Sequence, residues 1–83
     1  PNANNKKTPK VIPGDKENAE GDALYDQGTA ASLNAALGKY STAYQLYERG
    51  NQREKMAIVA GNLGITYKKL NNFQNFFLFV GRH

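Results

Sequence analysis

Few side chains in this sequence have the type and spacing to do chemistry. Asp22 and Asp26 stand four apart, which on a helix puts both carboxylates on one face, where they could share a cation. Acids early in a helix also complement its dipole, and Glu17, Glu20, Asp22 and Asp26 all fall in the first half of one helical segment. The single histidine, His83, ends the chain, where a general base has no scaffold. Gly61-Asn62-Leu63-Gly64 has the Gly-x-x-Gly spacing with which some RNA-binding loops clamp a nucleotide backbone. That chemistry needs an exposed loop, and this stretch lies inside an amphipathic pattern. With no cysteine there is no thiolate ligand, disulfide or cysteine nucleophile. Phosphate-binding loops, dinucleotide fingerprints, nucleophile elbows and zinc spacings have no match. The sequence therefore predicts a non-enzymatic protein with no cofactor and no metal, and leaves binding as its work.

The elements that would position a binding surface come next. The chain has 83 residues, room for one domain with a modest core. Its net charge of +4 is uneven. Lys6, Lys7, Lys10 and Lys16 oppose only Asp15 in residues 1–16, while the remainder is nearly neutral. Residues 1–16 also hold all three prolines, which fix φ and push the preceding residues toward extended forms. This stretch reads as a disordered or extended basic arm, and residues 17–83 as a helical domain. No apolar run approaches the roughly 20 residues of a membrane span, and no signal-peptide core is present. The expected location is intracellular, with cytoplasm and organelle interior not distinguished.

Apolar spacing predicts four helical segments. They run roughly over 17–37, 39–49, 53–70 and 73–81, with breaks near Gly38, at Gly50-Asn51-Gln52 and at Asn71-Asn72. Met56, Ala60, Leu63 and Tyr67 define the stripe of the third. The second alternates rings with small residues: Tyr40, Ala43, Tyr44 and Tyr47. Glycine costs a helix about 1 kcal/mol against alanine, so such residues need an offsetting contact. The spacing predicts that Gly64 permits close approach of a paired helix and that Gly38 forms a turn.

The segments also repeat. Ala31 maps onto Gly64, Leu37 onto Leu70, Tyr40 onto Phe73 and Tyr47 onto Val80, each pair 33 residues apart. With two helices per unit, this resembles the tetratricopeptide repeat family. Leu63-Gly64-Ile65-Thr66-Tyr67 is similar to the family's first-helix motif. Leu37-Gly38-Lys39-Tyr40, with Ala43 and Tyr47, is similar to its turn and second helix. The resemblance covers roughly residues 23–80. It implies an all-α fold of stacked helical hairpins, a short α-solenoid of about four helices. Leu37, Tyr40, Ala43, Tyr47, Leu63, Gly64 and Tyr67 would pack the hairpins. Tyr25, Ser32, Ile58, Asn62, Ile65 and Lys69 would face a concave groove.

The last segment, Phe73 to Gly81, is the most apolar part of the chain. Phe73, Phe76, Phe77 and Val80 form one stripe, and Leu78 and Phe79 extend apolar surface beyond it, where a partner would cover them. The expected function is that of a protein–protein interaction module, a scaffold or assembly subunit within a larger complex. The alternative is a nucleic-acid-associated subunit using the basic arm. Against that, Lys6, Lys7 and Lys10 have no interleaved aromatic residues on which bases could stack.

Overall fold

The computed structural model describes residues 10–81, with side chains through residue 75. Among the described residues there are three α-helices and no strand: α1 (Asp15–Gln27), α2 (Ala30–Arg49) and α3 (Arg53–Gly81). The described residues are all-helical as expected, but the helices number three, not four: two of the predicted breaks are absent, and an unpredicted one at Gly28-Thr29 divides the segment expected to run unbroken over 17–37.

Helix boundaries follow the caps. Gly14 opens α1 with φ +108°, and Gly28 closes it with φ +72°, its N–H donating to the Tyr25 carbonyl. Thr29 starts α2 through a capping box: its Oγ1 accepts from the Ser32 N–H at 2.9 Å, and Ser32 Oγ accepts from the Thr29 N–H at 3.0 Å. At the far end of α2, Asn51 takes the left-handed conformation, φ 55°. The Gln52 N–H bonds the Tyr47 carbonyl and the Asn51 N–H bonds that of Glu48, a Schellman closure. The stop at residues 50–52 was expected, but asparagine rather than Gly50 bears the left-handed turn.

The two missing breaks have one cause. Leu33, Ala36, Tyr40, Ala43 and Tyr47 recur at alternating spacings of three and four, and all are buried. The same rhythm continues through Met56, Val59, Leu63, Thr66, Leu70 and Phe73 in α3, where every position is buried or half-buried. That is the seam of closely packed, nearly aligned helices. It stays in phase across Gly38 and across Asn71-Asn72, so ending either helix there would lose packing worth more than a single glycine costs. Gly38 is exposed within α2 and is no turn. The expected stripe of α3 is half right: Met56 and Leu63 face inward, whereas Ala60 and Tyr67 are exposed, Tyr67 by 59%.

Helices α1 and α2 run antiparallel, and α3 lies antiparallel to α2 and parallel to α1. Their order is read from paired contacts. Gly14 meets Tyr47 and Gly21 meets Tyr40, while Lys55 reaches Asp15 and Asn62 reaches Asn18. Ala36, Tyr40, Ala43, Tyr47 and Val59 form the core, with Ile12, Leu24, Tyr25, Tyr44, Met56 and Leu63 packed around it. The hairpin-packing set is thus found in part. Tyr40, Ala43 and Tyr47 are central, Leu37 is half-buried and Leu63 borders the core, but Gly64 and Tyr67 lie on an open face.

Close approach does depend on glycine, at other positions than expected. A Cβ on Gly21 would lie 2.6 Å from Cε1 of Tyr40, and one on Gly14 would lie 2.7 Å from Cε1 of Tyr47. A Cβ on Gly64 meets nothing within 4 Å. The N-terminal boundary also shifts. Asp15 and Lys16 belong to α1, and the preceding turn is anchored by the Asp15 N–H on the Ile12 carbonyl at 3.1 Å, so the expected arm ends before residue 15. Residues 1–9 of that arm lie outside the described residues.

Gly21→Ala should destabilise the fold by about 1–3 kcal/mol, because the buried Tyr40 ring must move although alanine is the better helix former. Gly64→Ala should stabilise it by about 0.5–1 kcal/mol through the same helix preference with nothing in its way. Urea melts of the two variants test this: shifts of equal sign would contradict the assignment of the close contact.

Candidate functional site

The functional surface is built on two tyrosines that α2 raises between its neighbours. Tyr40 and Tyr47 are seven residues apart, as are Gly14 and Gly21, so each ring rests on one glycine. Each glycine is followed by an aspartate that takes the phenol proton in a hydrogen bond. Tyr40 Oη donates to Asp22 Oδ1 at 2.6 Å, and Tyr47 Oη donates to Asp15 Oδ1 at 2.5 Å. Lys55 Nζ, from α3, donates to the same Asp15 oxygen at 3.1 Å and lies 5.7 Å from the Tyr47 ring centre. One carboxylate therefore ties three helices together.

Above α2, the flanks of α1 and α3 enclose an open cleft. A hollow of about 320 Å³ is lined by Asp22, Tyr25 and Asp26 from α1, Tyr40 from α2, and Asn62 and Ile65 from α3. A second, of about 250 Å³, continues it toward the start of α1 along Asn18, Asp22, Tyr47, Lys55 and Ile58. Asn62 Nδ2 donates to Asn18 Oδ1 across the two walls at 3.3 Å. At the other end, Lys69 Nζ sits 4.6 Å from the centre of the Tyr25 ring, a cation–π contact. Ile58 and Ile65 are large apolar side chains that remain more than half exposed, at 59% and 54%.

Five of the six residues expected to face a groove meet on this cleft. Tyr25, Asn62 and Ile65 line the larger hollow, Ile58 the smaller, and Lys69 closes the end over Tyr25. Ser32 does not. It is buried as the second half of the α2 capping box, its hydroxyl also donating to the Thr29 carbonyl at 3.0 Å. The side chains of Leu78 and Phe79, expected to contact a partner, lie outside the described residues. Sequence reasoning missed the carboxylate wall, Asp15, Asp22 and Asp26, as part of the groove, and missed Tyr40 as its floor. A signal was present: Gly-Asp occurs at 14–15 and again at 21–22, at the same seven-residue interval as the two tyrosines.

The electrostatics follow from these bonds. Burial first, and then donation to Asp22, hold the Tyr40 hydroxyl above its ordinary value near 10. Burial and then Asp15 do the same for Tyr47. The Asp15 carboxyl is held below its usual range, chiefly by the Tyr47 hydrogen bond and then by that of Lys55. Asp22 and Asp26 form no ion pair among the described residues, whereas Lys39 pairs with Glu20 and Lys55 with Asp15. No group of three or more His, Asp or Glu side chains gathers as a metal site among the described residues, and no helix there is long and apolar enough to cross a membrane. The arrangement offers an apolar ledge facing an acidic wall.

In comparisons with known proteins, the chain matches no family model, no curated protein and no solved structure.

The tyrosines give stability an alkaline limit. Each phenol keeps its proton in the folded chain after the unfolded chain has begun to lose it. Its contribution is complete below the unfolded value near pH 10 and is lost as pH rises through the higher folded value. The melting temperature should hold steady from neutral pH to about 9 and fall above about 10. Tyr40→Phe should melt lower at pH 7, by about 1 kcal/mol for the lost hydrogen bond, and fall less steeply above pH 10. Parallel slopes in the parent and the variant would rule out this coupling.

Proposed function

We propose that the chain is a protein-interaction module, a short helical scaffold of tetratricopeptide type whose α1/α3 cleft receives a segment of another protein in a larger assembly. The observation that carries this reading is the pair Ile58 and Ile65, set seven apart on α3 and left exposed beside an open cleft. Ordinary helical surfaces expose isolated apolar residues. Two on one stripe, bordered by polar groups, are typical of a binding surface. The antiparallel α1–α2 pair with α3 laid along α1 is compatible with the start of a solenoid. The open face of α3 bearing Gly64 and Tyr67 is where a further helix would pack in such an array.

The nucleic-acid reading gains nothing from the cleft. Its wall carries Asp15, Asp22 and Asp26, which repel phosphates, while Lys6 and Lys7 lie outside the described residues.

A photo-crosslinking amino acid at Ile65 should give discrete protein adducts in cells. The same group at Gln45, on the exposed side of α2, should give few. Equal yields at the two positions, or none at Ile65, would overturn the assignment of the cleft as the binding surface.

A further inference from the structure

The interaction reading leaves the occupant's chemistry open, and the charges on the cleft decide it. Its two lysines are already engaged, Lys55 by Asp15 and Lys69 by the face of Tyr25. The carboxylates of the larger hollow are not so neutralised. Asp22 takes the Tyr40 proton in a hydrogen bond but has no cationic partner, and Asp26 is exposed without one among the described residues. Asp15, Asp22 and Asp26, at intervals of seven and four, share one side of α1, so their fields add along the wall. Opposite them stands the Ile58–Ile65 stripe, spanning roughly 10 Å at 1.5 Å per residue.

We infer that the cleft takes a basic, apolar-flanked segment of a partner protein, a Lys or Arg set against Asp22 and Asp26 with aliphatic neighbours on Ile58 and Ile65. This rests on the cleft being a protein-binding surface and adds the class of segment it selects. Charge complementarity commits the occupant. An acidic segment meets like charge on α1, and an uncharged one leaves the carboxylates to water. A basic segment satisfies them while its aliphatic stem covers the ledge.

The test uses the full chain and three labelled twelve-residue peptides with isoleucines seven apart. Between the isoleucines they carry Lys and Arg, Gln only, or Glu only. Fluorescence anisotropy at low and physiological salt should give the order basic, neutral, acidic, with the basic peptide weakening as salt rises. Asp26→Asn should weaken the basic peptide about threefold to fivefold, the scale of one exposed ion pair. Asp26→Lys should weaken it further and strengthen the acidic one. Asp26 holds no hydrogen bond or ion pair among the described residues, so circular dichroism should show both variants folded. Equal affinity for all three peptides, or no change on Asp26→Lys, would overturn the inference. If no peptide binds while the Ile65 crosslinks still form, the basic-segment inference fails alone. If both are absent, the interaction reading fails with it.

Discussion

The fold depends on two aromatic rings resting on two glycines. Tyr40 and Tyr47 are the largest side chains of the core, and α1 lies close enough to α2 to cover them only because Gly21 and Gly14 have no side chain. Gly21, inside α1, costs about 1 kcal/mol against alanine, Gly14 caps the helix at φ +108° where glycine fits best, and burying a large side chain contributes roughly 1.5–3, so the exchange favours the fold at both sites. The hydroxyls would be a liability in that position, since a buried phenol without a partner loses a hydrogen bond to water. Asp15 and Asp22 remove the liability, each as the residue directly after its glycine. Contact and hydrogen bond are thus fixed by one dipeptide, used twice.

The cleft is a consequence of that arrangement. Helix α2 is packed on both sides, so α1 and α3 are each set by it rather than by one another. Between the flanking helices run side-chain contacts: Asp15 with Lys55, Asn18 with Asn62, and Tyr25 with Lys69. Half-buried polar contacts of this kind contribute about 1 kcal/mol or less each, far less than the seams on α2. They hold the walls in register without closing the space between them. The aspartates that serve the tyrosines at the core therefore also line the surface, which gives α1 one acidic side and leaves the isoleucines of α3 facing it.

Much of this was legible in the sequence, and the failures are specific. The helical class and the stop at residues 50–52 could be read from period and composition, whereas the groove residues followed only from the resemblance to a repeat family. The tyrosines were recognised as packing against small residues, but the glycines chosen were those inside the apolar pattern, Gly38 and Gly64. The partners are Gly14 and Gly21, which sit among prolines, lysines and acids where no apolar stripe drew attention. Local propensity predicts breaks at Gly38 and at Asn71-Asn72, yet neither occurs, and an unpredicted one falls at Gly28-Thr29, inside the segment expected over 17–37. The seam of three-and-four spacing runs through both predicted places, and tertiary packing prevailed over propensity. Ser32 looked like a groove residue by position within a repeat, yet it stands three after Thr29, the spacing of a reciprocal cap.

The connections between helices are short, two residues between α1 and α2 and three between α2 and α3. Helices joined so tightly meet their partners through contacts that are close in sequence, and α2 can begin pairing with either neighbour without waiting for the other. Chains with such local topology collapse over little loop entropy and fold in microseconds to milliseconds. The contacts between α1 and α3 span the greatest separations, Asn18 to Asn62 being 44 residues. They close the longest loops, so the shape of the cleft depends on both hairpins being in place, whereas neither hairpin depends on the cleft.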